Sequence, residues 1–172
     1  MVFRRVWVWL IAYEVVCLVT CVVSGLLILH SGNARPVYSI KFIRSHSVLY
    51  DVVSIWLSNL SSFFLGGVLI ALHPALGFLA VAFNSFFSGQ MLASWLAGYC
   101  PTRHLIYGNI ETQAYIILWF LIARSYVLQK ECRDLNNRWI IALEGVKKIL
   151  FSTFTIFLIL SIIEVAEVIT YG

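Results

Sequence analysis

Charge is what this chain has least of. Asp, Glu, Lys and Arg make up 12% of its 172 residues, against about 25% in a water-soluble domain. Too few charges remain to coat a globule in water, so an ordinary cytosolic enzyme is excluded. With 61% hydrophobic residues the chain is equally unlike a disordered tail. Cysteine is sparse as well: Cys17, Cys21, Cys100 and Cys132 follow no disulfide-framework, zinc, haem or thioredoxin spacing. Cys17 and Cys21 stand one helical turn apart in an apolar run and read as packing residues. No cofactor or metal is expected.

What is present is long apolar sequence, with a mean hydropathy of +0.91. The chain reads as an integral membrane protein whose first partner is the lipid bilayer. The formal charge of +4 would point to nucleic acid in a soluble protein. In a membrane protein it reports topology instead, because Lys and Arg collect in cytoplasmic loops, and no nucleic-acid partner is expected.

A helix crosses the hydrocarbon core with about 20 apolar residues. Five stretches approach that length, at about 6–29, 52–72, 75–96, 112–127 and 149–169. His73-Pro74 separates the second from the third, since proline cannot continue a helix interior. The first stretch follows Arg4-Arg5 as a signal peptide would, and Leu18-Val19-Thr20-Cys21 faintly resembles a lipoprotein cleavage site. Its length exceeds the 7–15 residues of a cleavable apolar region and it contains Glu14, so a retained helix is expected. The fourth stretch is short, which implies tilt, an extended start near Tyr107 or local thinning.

With the N-terminus inside, the cytoplasmic side holds Arg4, Arg5, Arg124, Lys130, Arg133, Arg138, Lys147 and Lys148. The outside holds Arg35, Lys41, Arg44 and Arg103, which makes eight against four. That fits the positive-inside bias, although the first outer loop, Ser31 to Tyr50 with Pro36, carries three of the four. A cell-membrane location with a cytoplasmic N-terminus is the expectation. Leu128, Cys132, Leu135, Trp139, Leu143 and Val146 recur at spacings of three and four, predicting an amphipathic linker helix over about 128–146 along the cytoplasmic surface. It is either a plain connection or a docking surface for a partner or anionic lipid. No repeat or separate domain interrupts 1–172, and the fold class is an all-α polytopic membrane bundle.

Ser85, Gly89, Ala93 and Ala97 form a small-residue stripe on span three, and span two offers Ser62, Gly66, Gly67 and Ala71. Such stripes let helices approach closely where lipid supplies no hydrophobic drive. The prediction is a tight pair of spans two and three at the bundle centre.

Intramembrane polar residues are costly and face the interior or water. Glu14, Asn84, Glu164 and Glu167 lie within spans, and Glu111 opens the fourth. They are either a cation or proton path or interhelical hydrogen bonds that hold the register. A thiolate beside a base can be a nucleophile, which makes Cys100 and His104, with Arg103 between, the only candidate catalytic pair. No third orienting group accompanies them. His30, His46 and His73 read as interface or turn residues.

Four elements are of family character: Asn59-Leu60 before Gly66-Gly67; the run Phe83-Asn84-Ser85-Phe86-Phe87-Ser88-Gly89; Tyr107-Gly108-Asn109-Ile110-Glu111 before a span; and Ile162-Ile163-Glu164 followed by Thr170. From about Ser54 onward the chain resembles the stage II sporulation protein M family. Tyr107 stands where that family has histidine, Ile106 where it has proline and Ser85 where it has glycine, while Glu164 and Glu167 compete for one position. The resemblance implies a multipass membrane protein without known catalysis of its own. The namesake anchors peptidoglycan-degrading partners in endospore-forming bacteria, and other members are suspected of working with transport systems. It carries over Asn84, Gly89, Gly108 (as a turn at a span's mouth), Glu111 and Glu164. The expected function is a non-enzymatic scaffold or accessory subunit whose partners are other membrane or envelope proteins. A homo-oligomer is compatible with that reading. The alternative is a small transporter or channel component.

Overall fold

The structure is a computed structural model that describes residues 2–35, 47–131 and 135–171. Five long helices carry the chain: α1 (Val2–His30), α2 (Val48–Leu72), α3 (Gly77–Leu96), α4 (Thr102–Glu131) and α5 (Leu135–Tyr171). Each contains a stretch long and apolar enough to cross a membrane. The protein is an all-α, multi-pass membrane bundle.

Local chemistry sets the breaks. Ser47 accepts a hydrogen bond from the Tyr50 amide at the start of α2, satisfying one orphan N–H of the first turn. At its other end His73 turns extended, with φ −162° and ψ 133°, as expected for a residue before proline. Its Nδ1 accepts from the Ala75 amide at 3.2 Å and starts the 3₁₀ turn Pro74–Leu76 that leads into α3. After α3 the chain reverses through Gly98 at φ +75°, a left-handed conformation that favours glycine.

Two helices run further than the sequence predicts. The helix of span four begins at Thr102, about ten residues before the expected 112, and passes straight through Gly108. Gly108 is therefore not a turn. It sits inside α4 against Met91 of α3, whose sulfur occupies the space a side chain would need. The expected amphipathic linker is likewise not a separate helix. Leu128 to Glu131 end α4, and from Leu135 the chain is already in the helix that runs through span five to Tyr171. That segment contains no proline and a single glycine, Gly145, so nothing stops helical propagation. At 37 residues α5 is about 56 Å long, well beyond a hydrocarbon core of about 30 Å. Pro36, Lys41, Arg44, His46, Cys132 and Arg133 lie outside the described residues, as do the side chains of Arg4, Arg5, Leu135, Arg138, Trp139, Leu143, Val146, Glu167 and Thr170.

The centre of the bundle is α4, which touches all four other helices. Its Tyr115, Ile116, Leu118, Trp119 and Ala123 join Tyr13, Phe63, Ile70, Val81 and Phe157 in one core. The stripes of spans two and three do not face each other. The most extensive helix pairing is α1 with α3: Gly89 lies on Ser24, the Cys21 carbonyl and the Gly25 amide of α1. On α2, Gly66 faces Trp119 and Gly67 faces Ile122, both on α4. Small residues permit close approach, but which helix approaches depends on what fits, and a large indole fills the space beside Gly66.

Candidate functional site

Of the sequence-predicted intramembrane polar residues, Glu14, Asn84, Glu111 and Glu164 have described side chains, and that of Glu167 lies outside the described residues. Glu14, half-buried on α1, accepts a hydrogen bond to its Oε2 from Gln113 Nε2 of α4 at 3.1 Å. Glu111, also half-buried, lies two residues before Gln113. Residues two apart are about 200° apart around a helix, so Glu111 faces another neighbour. It stands within electrostatic range of Glu164 on α5. One turn further along α4, Tyr115 donates its hydroxyl to the Asn59 carbonyl of α2 at 2.9 Å, and its ring packs on Phe157 of α5 at 4.6 Å between centroids. The acids therefore form two separate places, one between α1 and α4 and one between α4 and α5.

Asn84 joins neither. Its amide nitrogen is buried and has no hydrogen-bond partner among the described residues. The side chain lines a cavity of about 310 Å³ between α2 and α3, together with Ser62, Gly66, Leu69, Phe83 and Trp119. Trp119 closes its inner side, with Nε1 donating to the Phe63 carbonyl at 3.1 Å. Exposed Leu65, Leu79, Phe83 and Phe87 flank its mouth. The space is apolar apart from the Asn84 amide and the Ser62 hydroxyl.

The packing residues divide by partner. Ser85 is fully buried and donates to the Val81 carbonyl of its own helix at 2.6 Å, while its side chain also meets the Cys17 thiol of α1. Ala93 is fully buried. Ser88, buried beside Gly89, shares a hydrogen bond of 2.6 Å with Thr112 of α4.

Cys100 is buried in the turn between α3 and α4, with Sγ donating to the Pro101 carbonyl at 3.6 Å. His104 lies in the first turn of α4, its amide donating to the same carbonyl at 3.0 Å. His73 is a helix-capping and turn residue, and its ring meets those of Trp9 and Tyr126 edge-on. Cys17 belongs to the core and is a free thiol.

Three residues escape the sequence reading. Gln113 and Tyr115 are polar groups inside a span, the signal used for Glu111, but neither is charged. Asp51 is 2% exposed in the first turn of α2, and neither carboxylate oxygen has a hydrogen-bond partner among the described residues. It stands just before the expected start of the second span at 52, outside the stretch in which acids are costly.

No family model, curated protein or solved structure matches the chain.

Proposed function

We propose that the chain is a non-enzymatic subunit of a membrane complex, a scaffold or accessory component, in the cell membrane with its N-terminus in the cytoplasm. Asn84 carries this reading. An amide without a partner in hydrocarbon costs several kcal/mol, and Asn84 lies near the middle of the span Pro74–Leu96. A polar side chain on a partner helix seated over the α2–α3 cavity meets that need. Hydrogen bonds between membrane helices average only about 0.6 kcal/mol, so the amide selects the partner while apolar packing supplies the affinity. The resemblance of the chain from about Ser54 onward to a family whose namesake anchors partner proteins supports the same reading. Mild solubilisation and native mass measurement test it. The expected mass exceeds the 19.5 kDa chain by a partner that Asn84→Leu releases. A lone monomer overturns the reading.

A second reading, a small transporter or channel component, is favoured by the approach of Glu111 to Glu164. Ionised carboxylates that sense each other repel, and uptake of a proton or a cation relieves the repulsion. Flux in liposomes that depends on both Glu111→Gln and Glu164→Gln supports it; absent or unchanged flux removes it. Neither reading gives Cys100 and His104 a catalytic role. A variant carrying Cys100→Ala and His104→Ala is expected to keep full function in cells.

A further inference from the structure

One place in the bundle joins cations to apolar walls at the level where spans leave the membrane. The turn after α2 marks that level: His73 follows its last residue, and the His73 ring meets Tyr126 of α4 at 5.9 Å. Arg124 stands two residues before Tyr126. Across from it on α5, Lys148 lies at the start of the span Lys147–Ala166. Between them is a groove of about 260 Å³ lined by Arg124 and Ser125 of α4 and by Glu144, Gly145 and Lys148 of α5. It exists because the helices come close there: a Cβ on Gly145 would stand 2.9 Å from Ser125 Oγ.

We propose that this groove binds the headgroup of an anionic phospholipid through Arg124 and Lys148. Both side chains are exposed, and neither forms an ion pair with a described residue. Glu144 lines the same groove. Among the described lining residues, two cations and one carboxylate leave one positive charge, the complement of a single phosphodiester. Arg supplies the planar fork that suits phosphate oxygens, and Lys adds a point charge. Toward the span interior the lining becomes Leu121 and buried Ile149, an apolar path that takes an acyl chain. A soluble phosphate has no group for that half. Basic pockets between membrane helices bind anionic headgroups by this division of labour. Lys130 points elsewhere, 4.8 Å over the Tyr126 ring.

The test uses the full chain, purified in mild detergent with equal phosphatidylglycerol and phosphatidylcholine, and reads the retained lipid by native mass spectrometry. Phosphatidylglycerol is expected to be retained in preference. Arg124→Gln and Lys148→Gln should each weaken its retention about fivefold, equivalent to ~1 kcal/mol at 1.4 kcal/mol per tenfold, and together about 25-fold. Arg124→Lys should keep most of the preference, Glu144→Gln should strengthen it, and Lys130→Gln should leave it unchanged. Melting of the lipid-free variants, expected to match the parent, separates a lost site from a lost fold. Equal retention of both lipids overturns the proposal. So does a loss with Lys130→Gln as large as with Arg124→Gln, or ready displacement by inorganic phosphate or an acidic peptide.

Discussion

The indole of Trp119 lies against Gly66, and its Nε1 donates to the carbonyl of Phe63 three residues earlier on the same helix. A Cβ on Gly66 would enter the ring. The indole is 2% exposed and held by that hydrogen bond, so it has nowhere to go. Gly66→Ala is expected to cost about 1–3 kcal/mol by overpacking, measured by reversible unfolding in mixed micelles. Gly67→Ala should cost less, because its Cβ would meet only the mobile end of Ile122, at 3.2 Å.

Gly89→Ala acts on a different pair of helices. The added carbon would press on the Cys21 carbonyl and the Gly25 amide of α1, and backbone cannot rotate away. The expected result is separation of α1 from α3 and a loss of about 1–3 kcal/mol. Cys17 is buried in the parent, so faster alkylation of Cys17 by a membrane-permeant maleimide checks the separation.

Asn84→Leu should have opposite effects on the chain and on its complex. Removing a buried amide nitrogen that lacks a partner among the described residues stabilises the isolated chain, by about 1–3 kcal/mol if the full desolvation cost is recovered. The same change should weaken association with the partner. Thermal unfolding of the lone chain and native mass of the complex read the two effects separately.

Tyr13 ties α1 to the turn between α2 and α3, its hydroxyl donating to the Pro74 carbonyl at 2.7 Å. Tyr13→Phe keeps the ring, which packs edge-on against Phe78, and removes only that bond. The expected loss is about 0.5–1.5 kcal/mol. Gly77→Ala should cost more, because its Cβ would drive into the same hydroxyl. Both are read by thermal unfolding in detergent.

The break at His73-Pro74 was legible because proline acts locally, on its own ring and the residue before it. The long start of α4 was legible only as one alternative, an extended start near Tyr107, because Gly108 in isolation looks like a turn residue; in the fold it lies within the helix, with Met91 against it. The small residues of α2 and α3 could be recognised as interface residues from their spacing. Their partners could not, since a stripe says how closely a helix may come and not which one will. Glu111 and Glu164 stood out as costly acids in apolar runs, and only the packing of α4 on α5 brought them within range of each other. Gln113 went unnoticed because its partner, Glu14, lies 99 residues away in the chain.

By itself the order of residues determined the class of protein: low charge and five apolar runs of spanning length dictate membrane helices, since in lipid every backbone polar group must be bonded internally. Tertiary structure alone decided the arrangement of those helices, with α4 at the centre, α1 seated on α3 and the Asn84 amide nitrogen without a partner among the described residues. Hydropathy depends on each segment's own transfer from water, whereas neighbour choice depends on side-chain shapes meeting across helices that are far apart in sequence.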